Sequence, residues 1–410
     1  MRRYASCMAR RRRRRQEIPE EERFQTVRIE RLVAGGRGLA RLPDGRALMA
    51  AFAAPGELVE VEVERIHRDY VEGVVTNVLE PSHSRVEARC SLYGNCGGCH
   101  LQHLEYPAQL AAKEGIVREQ LSRIGGLPDA HVNAVVGAEN PWDYRNHVRF
   151  STGRKFGDAG FIHRRGRGLL TVKKCPIADP WVNGVLPRLQ GHARGLHQIQ
   201  LRRNAATEST LIAPALEVLP DESGQDHYIE ELAGRRFHVS ASSFFQVNSA
   251  QAEKLVQLVG DELPRQGRLL VDAYAGVGTF AAIFAERFER VIAIEESPSA
   301  LRDAEVNFDD IENVEFRRGK VEELLPELAA DPEVVLLDPP RVGCAPEVLD
   351  SLVALAPPTV VYVSCNPTTL ARDLRRITAE GYKLERVTPI DMFPQTAHIE
   401  CVSRLTRSVD

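Results

Sequence analysis

The sequence predicts an α/β protein: a Rossmann-like, doubly wound C-terminal sheet, a small N-terminal β-barrel, and a loop-rich α+β segment between them. Three observations carry this. From Arg268 onward, "RLLVDAYAG", "RVIAIEE", "NVEFRRG", "EVVLLDPP" and "TVVYVSC" read as strands separated by helical patterns. That alternation calls for a mostly parallel sheet covered by helices on both faces. From Thr26 to Glu80, "VRIERL", "GLARLP", "RALMAAF", "ELVEVEVERIH" and "YVEGVVTNVLE" are punctuated by Gly35-Gly36, Asp44-Gly45 and Pro55-Gly56. Short strands at that spacing suggest an OB-like barrel. After Pro81 come a cysteine-rich loop, a helical stretch over Pro107–Ile124, and short strands mixed with basic loops over 130–240. The expected divisions are therefore a basic tail at 1–22, the barrel at 23–82, a central domain at 83–240 and the α/β domain at 241–410.

With 410 residues, 43% hydrophobic and 27% charged, the chain is long enough for two or three globular domains. No window approaches the roughly eighteen apolar residues of a membrane span. The arginine-rich start has no apolar segment behind it, which argues against a secretory signal and for a cytoplasmic protein. In a reducing compartment, the eight cysteines point to metal binding or catalysis rather than a disulfide scaffold. The net charge of −4 averages unlike regions. Arg2, Arg3 and Arg10–Arg15 could hold nucleic-acid phosphates or be a plain extension, and they carry no weight in the functional reading.

Asp272–Thr279, "DAYAGVGT", follows an apolar strand and opens a helix at Phe280. Gly276 and Gly278 let the backbone approach a ligand there, but the full dinucleotide fingerprint is missing. The next strand ends in Glu295, seventeen residues past Gly278, where a carboxylate can accept both hydroxyls of a ribose. The pair suits S-adenosylmethionine better than a dinucleotide, while a solvated strand-end carboxylate is the plainer alternative. "LLDPPR" places Asp338 at the same carboxyl edge, and Pro339-Pro340 stiffen the loop beyond it.

The cysteines divide into two groups. Cys90, Cys96 and Cys99 are spaced C-x5-C-x2-C with Gly94, Gly97 and Gly98 between them, and Cys175 is the best fourth ligand. Four thiolates suit an iron–sulfur cluster or tetrahedral zinc, and the spacing does not choose. Cys365 stands apart. As the end of a fifth sheet strand it reaches the carboxyl edge beside Asp338, where Asn366-Pro367 turns the chain. A thiol there reads as a nucleophile rather than a small core residue. Cys344 lies near the same edge and competes for that role; Cys7 and Cys401 read as incidental.

Together these motifs resemble the RNA uracil-5 methyltransferases, in particular the iron–sulfur ribosomal RNA branch. "GRGLARLPDGRALMAAFAAPGELVEVEV" resembles its RNA-binding TRAM barrel, and "CSLYGNCGGCHLQHLEY" its cluster loop, with Cys175 matching the fourth ligand. "SSFFQVNSAQAEKL", "DAYAGVGTF", "LLDPPR", "SCNPTTLARDL" and "FPQTAHIE" follow in the family's order. The resemblance implies a class I S-adenosylmethionine-dependent fold, with Gln246, Tyr274, Glu295 and Asp338 lining the pocket for methyl donor and target base. Cys365 would be the nucleophile, Glu400 the general base, and the thiolate set would hold a [4Fe-4S] cluster. Ala275, Thr279 and Lys320 depart from the pattern without removing a catalytic group.

Carbon 5 of uracil is too weak a nucleophile to take a methyl group unaided. A thiolate adding to carbon 6 activates it, and a base must then remove the carbon 5 proton so that the thiolate can leave. The base must also leave its stack, for which Phe244 and Phe245 are candidate platforms. Arg164, Arg165, Arg167, Lys173 and Lys174 suit phosphates, or form a solvated loop. The expected partner is 23S ribosomal RNA, met by a monomer without a membrane. Transfer RNA is the nearest alternative, followed by cytosine-5 chemistry and a non-catalytic RNA-binding or ribosome-assembly factor.

Overall fold

The computed structural model describes residues 18–153, 156–166 and 168–408. The arginine tail, Cys7 and Arg167 lie outside them. The chain divides into two compact units, one ending at Arg85 and the other beginning at Val86.

The first unit is a six-stranded sheet. In chain order its strands are Phe24–Arg28, Arg31–Val33, Arg37–Arg41, Ala47–Ala51, Leu58–Ile66 and Tyr70–Glu80; across the sheet they run first, fifth, sixth, fourth, third, second. The alternation in "LVEVEVERI" is what fixes its faces: Val59, Val61 and Val63 point inward onto Ile29, Leu48 and Ala50. "VRIERL", read as one run, is two strands. Ile29 leaves the first ladder to exchange backbone hydrogen bonds with Glu57 and Gly56.

In the second unit, residues 86–240 and the α/β half pack as one body. The expected division near residue 240 is therefore not a boundary between compact units, for identifiable reasons. Val132 and Val136 form parallel bridges with Val387 and Ile390. The helix Tyr106–Arg123 lies against the helix Pro367–Ala379, and Thr368 Oγ1 donates to Gln120 Oε1 at 2.9 Å. The same unit holds a five-stranded antiparallel sheet built on His147–Thr152 and Gln198–Arg203, its core closed by the helix Pro180–Leu189.

The α/β half contains seven strands: β1 (Gly267–Ala273), β2 (Phe288–Glu295), β3 (Val314–Arg318), β4 (Val334–Leu337), β5 (Thr359–Ser364), β6 (Tyr382–Ile390) and β7 (Glu400–Arg407). Their order is β3-β2-β1-β4-β5-β7-β6. The first five are mutually parallel, and β7 inserts antiparallel between β5 and β6. The near-continuous apolar runs "VVLL" and "TVVYVS" are buried on both faces, as helix-covered parallel strands must be. Every loop that leaves β1, β2, β4 and β5 therefore opens on one edge of the sheet. The reversed β7 begins at that same edge, with Glu400.

Candidate active site

The Gly turn after β1 is a run of left-handed backbone: Tyr274, Gly276 and Gly278 have φ of 68°, 59° and 86°. A tyrosine in that region costs on the order of 1–3 kcal/mol and persists only where its surroundings dictate it. Glu295 is one such constraint. Its Oε2 accepts from Gly276 N–H at 2.8 Å, while Oε1 accepts from the N–H groups of Glu296 and Ser297 at 2.9 and 2.7 Å. The strand-end carboxylate is thus oriented by three backbone donors and tied to the turn. Gly278 caps the helix Thr279–Phe284, and a Cβ there would run into the Phe308 ring. Gly278 supports the turn from behind and is not among the residues that face the cavity.

Cys365 follows the last residue of β5. Asn366 then caps the helix Pro367–Ala379, its side chain accepting from Thr368 N–H, with Pro367 in the first turn. This cap is why the apolar run stops and the thiol stays half-buried rather than joining the core. The β5–β7 register pairs Ser364 with Cys401. Continued by one step, this register sets Cys365 opposite Glu400, and the Glu400 charge acts on the Cys365 thiol. Cross-strand neighbours have Cα atoms roughly 4.5–5.5 Å apart and side chains on one face. The two residues are thirty-five apart in sequence and adjacent in space.

A cavity of about 670 Å³ collects Gln246, Tyr274, Gly276, Glu295, Asp338, Cys365 and Glu400. Of the cofactor and catalytic residues read from the sequence, Gly278 alone lies outside its lining. Burial dominates the electrostatics. It pushes the Cys365 thiol up to about 11, helped by the negative charges of Glu400 and Asp338 and opposed by Arg341. Burial and then Asp338 push Glu400 well above the carboxylate range, again against Arg341. Burial also pushes Asp338 up to about 7. Arg341 therefore favours the charged form of both Cys365 and Glu400. Replacing it by glutamine removes that help and raises both groups further. If the thiolate and the carboxylate are the working forms, the ascending limb of the pH–rate profile moves to higher pH. Activity should fall more at pH 7 than at pH 9, as measured with a radiolabelled methyl donor; an unmoved limb would show that Arg341 does not govern these ionisations.

Cys344 is not among the residues that line this cavity. It is buried, its N–H donates to Asp373 at 2.9 Å, and its thiol lies 3.5 Å from the Tyr362 hydroxyl, which itself donates to Asp373. Cys401 is buried in β7. Both candidate aromatic platforms line the cavity; Phe245 is core and packs near Phe237, whereas Phe244 is 70% exposed.

The four remaining described cysteines share a second cavity, of about 780 Å³, lined by Cys90, Cys96, Cys99 and Cys175. Burial pushes Cys99 up to about 12 and Cys175 up to about 11, each further raised by other thiols of the set. Among the described residues, no three metal-ligating side chains converge closely enough to hold a single ion. Arg145 and Phe244 line both cavities. Around the second one, Lys173 and Lys174 are exposed, while Arg164 donates to the Gly94 carbonyl at 2.8 Å.

The sequence reading gave no role to the supports of Glu400. His398 Nδ1 lies 3.1 Å from Arg341 Nη2. The preceding segment is held from the other half of the unit. Lys113 Nζ and the Tyr106 hydroxyl donate to Asp391 at 2.5 and 2.9 Å, with Lys113 and Asp391 both fully buried. The Tyr144 hydroxyl donates to the Pro394 carbonyl at 2.9 Å. His100 and Leu101, directly after the cysteine triplet, both donate backbone N–H groups to the Gln395 carbonyl at 3.0 Å. Arg341 and His398 were legible as members of "LLDPPR" and "FPQTAHIE"; the distant partners left no local signal.

Residues 224–408 match the family model described as tRNA (Uracil-5-)-methyltransferase, and residues 20–76 match the TRAM domain. An uncharacterized RNA methyltransferase of Gloeobacter violaceus is 37% identical, covering 93% of this chain and 96% of the relative. One from Thermosynechococcus vestitus is 35% identical, covering 93% and 98%. Among solved structures, the tRNA (uracil-54, C5)-methyltransferase of Pyrococcus abyssi in complex with S-adenosyl-L-homocysteine is similar over 93% of this chain and all of its own. Its TM-score is 0.74 and its identity 25%.

Proposed function

From a chain that belongs to the RNA uracil-5 methyltransferase family, TRAM domain included, we propose an enzyme that forms 5-methyluridine in 23S ribosomal RNA, with Cys365 as nucleophile and Glu400 as general base. The observation that carries the chemistry is the apposition of Cys365 and Glu400 at the edge where Glu295 secures the Gly turn.

Gln246, Tyr274, Gly276, Glu295 and Asp338 would hold S-adenosylmethionine, which supplies a methyl group on a positively charged sulfur. The residues fit it: a glycine at the turn, a fixed carboxylate for hydroxyls, and acidic side chains that favour a cation nearby. The resting thiol keeps its proton at neutral pH, so its ionisation belongs to the substrate-bound state, with Asp338 in the same cavity to accept the proton and leave Glu400 free as base. Cys365 then bonds to carbon 6 of the uracil and carbon 5 takes the methyl group. Glu400 removes the carbon 5 proton, the carbon–sulfur bond breaks, and the thiolate is regenerated.

Cys90, Cys96, Cys99 and Cys175 would hold a [4Fe-4S] cluster. They share one cavity, and four thiolates are the donor set that a cluster takes, as tetrahedral zinc also does. The role we assign is structural: the loop of the triplet carries the two N–H donors that fix Gln395, five residues before Glu400. Anaerobically purified protein should be brown, with four irons and four sulfides per chain, and Cys99→Ser should lose the colour. A colourless protein with stoichiometric zinc would replace the cluster.

The ribosomal target rests on the resemblance of the cysteine set to the ribosomal branch. Transfer RNA is the second reading, favoured by the likeness to the Pyrococcus abyssi enzyme along nearly the whole chain. Mapping 5-methyluridine in RNA from a strain lacking the gene decides between them: a site lost from 23S ribosomal RNA supports the first, one lost from transfer RNA the second. New 5-methylcytidine in an in vitro reaction would overturn both.

A further inference from the structure

The turn that carries Arg341 presents a second side chain that the chemistry does not use. Gly343 N–H donates to the Pro340 carbonyl at 2.8 Å, closing a tight turn over 340–343, and Gly343 adopts φ 78°. A Cβ on Gly343 would lie 2.5 Å from Asp373 and 2.6 Å from Arg372, so the turn is pressed against the helix Pro367–Ala379. Side chains fasten it. Arg372 Nη2 donates to the Val342 and Cys344 carbonyls at 3.0 and 3.2 Å. Asn366 Nδ2 and Thr369 Oγ1 donate to the Arg341 carbonyl at 3.0 and 3.3 Å. Asn366 directly follows Cys365, so the turn is fixed to the loop of the nucleophile. On it, Arg341 lines the catalytic cavity, and the next residue, Val342, is 71% exposed.

A lone exposed valine on a mobile loop needs no explanation. Here a β-branched side chain, stiff at χ1, stands on a turn fixed by four side-chain hydrogen bonds to three carbonyls, beside the cavity that must receive an extruded base. We propose that Val342 is an apolar wedge that occupies the gap left in the RNA stack by the target uracil, its partner being the face of the flanking nucleobase. Proteins that unstack nucleic acid use aliphatic side chains in this way, and the contact offsets the stacking lost on extrusion. The inference rests on the reading of this cavity as the uracil site.

The test uses the full chain and a transcript spanning the uridine located by the mapping above. One version has its natural neighbours; another has abasic nucleotides flanking the target. On the natural RNA, Val342→Ser should lower kcat/KM by about tenfold, the scale of a lost unstacking contact, while Val342→Leu retains activity. On the abasic version, Val342→Ser should match the wild type, and its affinity for S-adenosylhomocysteine should be unchanged. With 2-aminopurine beside the target, wild-type binding should brighten the fluorescence and Val342→Ser should blunt the change. Equal activity of Val342→Ser and wild type on the natural RNA, or equal losses on both RNAs, would overturn the wedge. A wild-type enzyme that methylates no uridine would overturn the reading of the site, and the wedge with it.

Discussion

Cys365→Ser is expected to lower methyl transfer by on the order of 10⁴-fold or more, the scale reached when a covalent nucleophile is removed, while RNA affinity stays at the wild-type level. The separation of effects follows from position. Cys365 lies beyond the last residue of β5 and is half-buried, and the cap that shapes its loop belongs to Asn366 and Pro367. Serine keeps that backbone and nearly the same volume, so neither the fold nor the walls of the cavity should change. The hydroxyl, however, ionises far less readily than a thiol and is a poorer partner for carbon 6. Incorporation of a labelled methyl group and a filter-binding titration measure the two quantities separately. A variant that stays active would show that Cys365 is not the nucleophile. Cys344 would then be the next thiol at this edge, despite its buried contacts with Tyr362 and Asp373.

What could be read in the sequence was whatever local spacing encodes. The βαβ alternation after Arg268, the Gly turn, the strand-end acid and the cysteine triplet all appear within windows of twenty residues or so. The Gly turn and the strand-end acid lie on one sheet edge, and the triplet lines one cavity without forming, among the described residues, a group that could hold a single metal ion. The apposition of Cys365 and Glu400 was different. It depends on β7 running antiparallel beside β5 after β6 has passed it by, and no periodicity reports such an insertion. Only the resemblance of "FPQTAHIE" to a known motif pointed to Glu400. Longer-range supports were invisible for the same reason. Lys113 and Asp391 are 278 residues apart, and neither residue type is expected to be fully buried without its partner. Near residue 240 composition shows where texture changes, while compact packing continues across it.

Glu400→Gln should stop the reaction half-way. Thiol addition and methyl transfer need no base at carbon 5, so they can proceed; removal of the carbon 5 proton needs the carboxylate, and the amide has no comparable basicity. The product should be an RNA covalently joined to Cys365 and already methylated, migrating as a slow band on a denaturing gel and carrying label from the methyl donor. General base assistance is worth ~10²–10⁴-fold, so turnover should fall by that order while the adduct accumulates. The substitution is nearly isosteric at a buried position, and it removes one of two mutually repelling acids. With one negative charge gone, the Cys365 thiol should be lowered. The variant should therefore form its adduct at lower pH than the wild type begins turnover. Adding Cys365→Ser to the same chain must abolish the band. If Glu400→Gln alone gives no adduct but turnover still falls, the carboxylate acts before the covalent step, as the acceptor of the thiol proton, rather than after it.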